Sequence, residues 1–157
     1  MGKVKASTDL PGFRASEAEA LWYDIKRWPT FVDGFAHVVS VEGDWPNAPS
    51  TLVWQSTPAG RGRVVERVTA YEPRLGQTAD VDDPRMSGVQ RVAFEHGEGV
   101  VKVTLSMDYT LKQGGPLRVL MDGLFIRRAI SDSLRRTVQR FARELRADAE
   151  LGEELAE

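Results

Sequence analysis

The sequence predicts an α+β fold in which a curved antiparallel sheet of six or seven strands wraps around one long C-terminal helix. Residues 36–111 alternate between apolar and polar side chains, and short turns rich in Gly, Pro, Asn and Asp interrupt that stretch. From residue 117 the apolar period changes to that of a helix. A long amphipathic helix can bury its stripe only against another layer, so the helix must face the sheet.

The composition restricts the classes of function. The chain has 157 residues and a net charge of −2, which favours one domain over residues 3–147 and argues against nucleic-acid binding. No cysteine and only two histidines are present, so neither a metal site nor a cofactor is expected. Because the sequence shows neither an apolar run long enough to span a membrane nor an export signal, we expect a cytoplasmic protein. We expect it to be a monomer or a homodimer. The acidic residues 148–157 are expected to form a frayed tail.

The first 35 residues combine one strand with two short helices. Residues 3–10 alternate and read as a strand. Ser16 followed by acidic residues predicts a helix start, and Pro29 predicts its end near Arg27. Residues 29–34 then read as a second short helix or turn, because Pro stands at its first position and Gly at its end.

The strand after residue 100 shows the alternation most clearly, which predicts one buried and one wet sheet face. Its expected inward residues are Val101, Val103, Leu105, Met107, Tyr109 and Leu111. The six candidate strands of this region are 37–44, 51–57, 63–72, 76–82, 88–96 and 100–112.

A long helix is predicted from about Leu117 to Asp148, and where it diverges from the sheet a ligand-sized gap is expected. Its apolar stripe consists of Ile126, Ile130, Leu134, Val138, Phe141 and Leu145. Eight arginines lie mostly off that stripe, at Arg118, Arg127, Arg128, Arg135, Arg136, Arg140, Arg143 and Arg146. This basic surface suggests docking to an acidic partner, such as an acyl carrier protein, or to an anionic membrane surface. The alternative is a solvated face paired with acidic residues.

Several segments carry a resemblance to a known family. They are Lys5-Ala6-Ser7-Thr8, the helical run ALWYDI at 20–25, WPTF at 28–31, GRVVERV at 62–68 and GPL at 115–117. Over residues 3–146 the chain resembles the helix-grip fold of the birch-pollen-allergen and START-domain (SRPBCC) superfamily, and most of all its polyketide cyclase/dehydrase-like branch. The resemblance implies a pocket for an apolar or amphipathic molecule, in a superfamily that mixes carriers, sensors and cyclases.

The aromatic polyketide cyclases of that superfamily imply a sharper test. Their resemblance would place a tyrosine after the second helix and an arginine on the central strand, but this chain has Phe35 and Tyr71 at the matching positions. Arg67 lies four residues before Tyr71, and in a regular strand the two would share a face. Arg67 and Tyr71 are therefore the candidate catalytic residues. Since Glu66 must take the opposite face from Arg67, one of these two charges points inward, and a shift of one residue in register would exchange them.

We expect the chain to bind a polyketide-, lipid- or isoprenoid-like molecule between sheet and helix, with Arg67 and Tyr71 at its polar end. A cyclase or dehydrase using the same pair and an interaction protein that docks through the basic helix are the alternatives. The expected ligand-contacting residues are Trp28, Phe31, Phe35, Trp54, Arg67, Tyr71, Val92, Phe94, Leu105, Met107, Tyr109, Leu124 and Ile130.

Overall fold

The computed structural model describes the backbone of residues 1–112 and 116–157, and side chains outside 113–122. One seven-stranded antiparallel sheet, in the order β1-β7-β6-β5-β4-β3-β2, curves around a long C-terminal helix. The strands are β1 (Gly2–Pro11), β2 (Phe35–Gly43), β3 (Ser50–Ser56), β4 (Arg63–Glu72), β5 (Gly76–Asp82), β6 (Met86–Gly97) and β7 (Val100–Leu111). The helices are α1 (Ala15–Trp22), α2 (Trp28–Phe31) and α3 (Pro116–Ala156), with a 3₁₀ turn at Ile25–Arg27.

The predicted fold class is confirmed, and the expected strands match the observed ones to within two residues at each end. The alternation in β7 is the clearest case, because its inward residues from Val101 to Tyr109 are all buried. Each hairpin turn coincides with a Gly- or Pro-containing break in the pattern, which is why the strand ends could be placed from sequence.

The entry helices differ from the prediction in both their start and their length. Helix α1 begins at Ala15, since the Glu17 carboxylate accepts a hydrogen bond from the Arg14 backbone N–H (3.0 Å) and takes over the capping role expected of Ser16. It ends at Trp22 rather than near Arg27, because Asp24 leaves the helical region at φ −80°, ψ 88°. The short α2 then carries Trp28 and Phe31 into the core.

Helix α3 continues to Ala156, so the predicted end near Asp148 is wrong. The final residues are mostly Glu, Ala and Leu, which favour a helix, and the single Gly152 does not interrupt them. They are exposed along their whole length, and the expected fraying of this tail stays a prediction. The predicted position of Arg118 off the apolar stripe lies outside the described side chains.

Burial along α3 rises from its N-terminal to its C-terminal half. Ile126 and Ile130 are only partly buried, whereas the predicted stripe from Leu134 onward is almost completely buried. Leu124 and Phe125, one turn earlier, are 72% and 76% exposed. The helix therefore packs tightly against β1, α1 and α2 with its second half and stands away from the sheet with its first.

Two polar contacts fasten the second half of α3. The Asp33 carboxylate after α2 accepts hydrogen bonds from Ser133 Oγ (2.8 Å), Arg136 Nη2 (2.9 Å) and Arg140 Nη1 (3.1 Å). Burial would raise the pKa of Asp33, but the hydrogen bonds from Arg136 and Ser133 and the two arginine charges outweigh burial and lower it. Farther along α3, Arg27 Nη2 bonds to Glu144 Oε2 (2.9 Å).

Among the residues that the structure describes, no helix combines the length and hydropathy needed to cross a bilayer.

The Phe141 side chain is expected to be the main apolar anchor of α3. It is fully buried between the rings of Trp22 (5.3 Å) and Phe31 (5.4 Å). We expect Phe141→Ala to lower the free energy of unfolding by about 3–5 kcal/mol in urea titrations. Leu124→Ala, on the exposed part of the same helix, should change it by less than about 0.5 kcal/mol. Equal losses in the two variants would contradict the anchoring of α3 by its second half.

Asp33→Asn should destabilise the fold by about 1–2 kcal/mol at pH 7, because it removes the negative charge and one of the two acceptor oxygens that bind Arg136 and Arg140. Since the pKa of Asp33 is lowered from 3.8 in the fold, its stabilisation is present above that value and is lost as pH falls through the folded pKa. Wild type and variant should therefore converge in acid. Asp132→Asn, which removes only an exposed pair with Arg135 on one helix, is the matched control and should cost less than about 0.5 kcal/mol.

Candidate functional site

A cavity of about 330 Å³ opens where the first half of α3 leaves the sheet. Its walls come from β3, β6, β7 and α3, and the β3–β4 and β5–β6 turns form its rim. The apolar lining residues are Trp54, Ala59, Met86, Met107, Leu111, Phe125, Ile126, Ala129, Ile130 and Leu134. Its size lies at the lower end of the range for small-molecule sites, and it lies where a gap between the helix and the sheet is expected from the sequence.

A smaller inner chamber of about 50 Å³ adjoins this cavity. The two share Asp33, Trp54, Arg61, Ser133 and Leu134, so a ligand could extend from one to the other. The inner chamber alone reaches Glu66 on β4, which is buried, and Gln90 on β6, which is partly buried. Since one water occupies ~30 Å³ in the liquid, this space suits a small polar group rather than a ring.

Glu66 on β4 is the most buried charged side chain of the inner chamber, at 3% exposure. Its Oε2 accepts a hydrogen bond from Trp54 Nε1 (2.6 Å) and its Oε1 one from Gln90 Nε2 (3.1 Å). Gln90 reaches Glu66 across β5, where its register partner is the small Ala79. Strands β3, β4 and β6 thus hold the carboxyl in one orientation.

Burial raises the pKa of Glu66, because removal from water disfavours the charged form. The hydrogen bond from Trp54, the positive charge of Arg61 and the hydrogen bond from Gln90 act in the opposite direction without overcoming burial. Raised carboxyl pKa values in a cleft are typical of groups that donate or accept a proton, although ion-pair networks also produce them.

Arg61 in the β3–β4 turn lies beside this carboxyl. Its Nε donates to Asp83 Oδ2 (2.8 Å), and its guanidinium carbon lies 5.8 Å from the centre of the Trp54 ring. Its Nη2 is buried without a hydrogen-bond partner in the described part of the chain. A buried donor left unpaired costs free energy, and a ligand acceptor could recover that cost.

The backbone around Arg61 is built to hold it in place. Gly62 adopts φ +82°, a conformation that other residues rarely take, and its N–H donates to Ser56 Oγ (2.8 Å). Asp83, in the β5–β6 turn, accepts hydrogen bonds through Oδ1 from the backbone N–H groups of Arg85 (2.8 Å) and Met86 (3.0 Å). Two turns therefore fix the arginine, which lines both chambers, and its counter-charge.

Five of the predicted ligand-contacting residues line the two chambers. Trp54, Met107 and Ile130 line the larger cavity, and Trp28, Leu105 and again Trp54 line the inner chamber. Whether they contact a ligand stays a prediction.

The other predicted apolar contacts lie elsewhere. Phe35 packs on Trp54 with ring centres 5.2 Å apart, one layer behind the cavity, while Phe31 packs in the core against α3. Leu124 is largely exposed. Val92, Phe94 and Tyr109 are buried on the inner sheet face, and Phe94 contacts the Tyr23 ring (6.2 Å).

Arg67 lies on the exposed outer face of β4, so its expected inward orientation is wrong and Glu66 takes the inner position. A bulge at Thr69 then shifts the register between Val68 and Ala70. Beyond the bulge Tyr71 faces inward and packs on Tyr23 with ring centres 5.4 Å apart. The expectation that Arg67 and Tyr71 share a face is therefore also wrong, because an inserted residue reverses the alternation.

The polar residues of the site, Arg61, Asp83, Glu66 and Gln90, were not predicted from the sequence. Glu66 had a signal, since one of two neighbouring charges had to point inward. Val64 and Val65 are both apolar, however, and so the alternation around them is compatible with either choice. Arg61 and Asp83 lie in turns, where no period predicts the direction of a side chain.

Glu66→Gln tests the protonation of the buried carboxyl. Because the folded pKa is raised above 4.5, wild type should lose stability as pH rises from that value towards the folded pKa. The glutamine variant cannot ionise, so its melting temperature minus that of wild type should increase between pH 4 and pH 8. A decrease in this difference over the same range would contradict a raised pKa.

Known proteins resemble this chain in both sequence and fold. The family model described as "Polyketide cyclase / dehydrase and lipid transport" matches residues 1–146. A search among curated proteins gave no match.

Several solved structures share the fold at low sequence identity. TTHA0849 from Thermus thermophilus has a TM-score of 0.73 at 12% identity, covering 94% of this chain and 99% of its own. Norcoclaurine synthase from Thalictrum flavum has a TM-score of 0.66 at 11% identity, covering 92% of both chains.

The di-domain ARO/CYC protein StfQ of the steffimycin biosynthetic pathway has a TM-score of 0.66 at 17% identity. The match covers 94% of this chain but 52% of StfQ. At these identities the likeness shows the fold alone, whereas the family model matches most of the sequence. The chain belongs to the polyketide cyclase/dehydrase and lipid transport family.

Proposed function

We propose that the chain binds a small, largely apolar molecule in the cavity under α3, with the polar end of that molecule in the inner chamber. The observation that carries the proposal is a polar cluster, the buried Glu66 with Trp54 and the partly buried Gln90, at the inner end of a cavity whose lining is more than half apolar. Ligand sites combine an apolar lining with a few fixed polar groups in this way.

The free energy of binding would come mainly from removing apolar ligand surface from water, at about 25 cal/mol per Å². A cavity of 330 Å³ suits a molecule of one or two rings. The cluster at the inner end would fix the orientation of such a ligand, because its hydrogen bonds hold the Glu66 carboxyl in one position. A polyketide-, lipid- or isoprenoid-like ligand remains the expected class, and family membership supports it.

An enzyme of the cyclase or dehydrase type is the second candidate. The catalytic residues that the geometry favours for it differ from the pair predicted from the sequence. Arg67 is on the outer sheet face, whereas Glu66 and Arg61 both line the inner chamber. In this reading Glu66 exchanges a proton with the substrate, and the unpaired Nη2 of Arg61 stabilises a developing oxyanion.

The third reading, docking through the arginines of α3, has less support. Arg136 and Arg140 bind Asp33, and Arg135 binds Asp132. Exposed arginines remain on the helix, among them Arg127 and Arg128, so an acidic partner such as an acyl carrier protein stays a prediction. The cytoplasmic location and the oligomeric state also stay predictions.

A large side chain placed in the cavity should weaken ligand binding. Ala129 lies on the cavity side of α3, so Ala129→Trp should weaken binding of the neutral two-ring dye 6-propionyl-2-(dimethylamino)naphthalene by at least about tenfold, measured by dye fluorescence. The matched control is Ala149→Trp, on the exposed end of the same helix, which should leave the dissociation constant unchanged. Equal binding to both variants, or no binding to wild type, would contradict the proposed site.

A further inference from the structure

The charge balance of the inner chamber restricts which ligands it can accept. Arg61 contributes one positive charge, which the buried Asp83 carboxylate already offsets through a direct ion pair. Glu66 is either neutral or negative, Gln90 is uncharged, and Asp33, which also lines the inner chamber, is negative. In neither protonation state do the side chains that line this chamber, taken together with Asp83, carry a net positive charge.

The other cations near the cavity lie at its exposed rim. Arg136 and Arg140, which are 49% and 42% exposed, are both bound by Asp33, and Arg85 is exposed in the β5–β6 turn. Water screens these charges strongly, whereas the inner chamber is shielded from it. An anionic group placed beside Glu66 would therefore lose its hydration without gaining a free counter-charge, which is costly.

The hydrogen-bonding groups of the chamber are complementary to a single hydroxyl. Arg61 Nη2 is a buried donor without a partner in the described part of the chain, so it needs an acceptor. Each oxygen of Glu66 accepts one hydrogen bond and has a further lone pair, so the carboxyl can accept another proton donor. A hydroxyl group supplies both, because its oxygen accepts and its hydrogen donates.

We propose that the inner chamber selects an uncharged ligand with a terminal phenolic, enolic or alcoholic hydroxyl, and rejects ligands that end in a carboxylate. The hydroxyl would accept from Arg61 Nη2 and donate to Glu66, while the apolar body occupies the larger cavity. This inference rests on the proposed function, since it names the ligand class of the same site.

Three naphthalenes of matched shape test the inference at pH 7 by displacement of the dye named above. We expect 2-naphthol to bind about tenfold more tightly than 2-methylnaphthalene, which corresponds to about 1.4 kcal/mol for the added hydrogen bonds. The anion 2-naphthoate should bind at least about tenfold more weakly than 2-naphthol. If the dye itself does not bind, the proposed function fails; if the dye binds but naphthoate equals or exceeds naphthol, only the hydroxyl selection fails.

Asp83→Asn supplies a gain-of-binding test. The substitution removes the charge that offsets Arg61 but keeps an oxygen for the backbone N–H groups of Arg85 and Met86. The affinity for 2-naphthoate relative to 2-naphthol should rise about tenfold. Asp132→Asn removes the same charge at a residue that lines neither chamber and should leave the ratio unchanged. An unchanged ratio in an Asp83→Asn variant that circular dichroism shows to be folded would overturn the charge-balance argument. If the variant does not fold, the relative affinities of wild type for 2-naphthol and 2-naphthoate decide the proposal.

Discussion

The unequal attachment of α3 is the constraint on which the site depends. Its second half is anchored by Phe141 in the core and by Asp33 and Arg27 at its sides. Its first half has no comparable contacts with the curved sheet in the described part of the chain. Because close packing leaves few voids elsewhere, the helix and sheet can diverge only where one side is unanchored. The cavity is therefore a consequence of where the anchors lie along α3.

The register of β4, which one inserted residue interrupts, determines which of its side chains face inward. Before the bulge at Thr69 the inward positions are Val64, Glu66 and Val68, and after it Tyr71 faces inward. The register places Glu66 next to the Trp54 strand and across from Gln90, while Arg67 faces solvent opposite Asp80. Strand β4 thus buries Glu66 and exposes Arg67. The site therefore holds a carboxyl group where the sequence predicted a guanidinium group.

The sequence predicted the architecture well because periodicity and turn residues are local signals. Strand β7 alternates without interruption and its neighbours are separated by Gly- and Pro-rich turns, so both number and position of the strands follow. The site was less predictable. The inward direction of Glu66 depends on cross-strand register, and the position of Arg61 depends on an ion pair with Asp83, 22 residues away. Local patterns do not encode either relation.

Burying the polar cluster costs free energy of folding, so stability alone does not explain why these residues are present. Replacing buried polar groups by apolar ones of similar shape is often neutral or stabilising, so Glu66, Asp83 and Arg61 are poor choices for a core that needs only to fold. Burial raises the pKa of Glu66, and the Nη2 donor of Arg61 has no hydrogen-bond partner among the described residues. Both costs fall in the inner chamber that adjoins the cavity beside the first half of α3. A bound hydroxyl would satisfy the unpaired donor and a free lone pair together, which connects the cost of the cluster to binding.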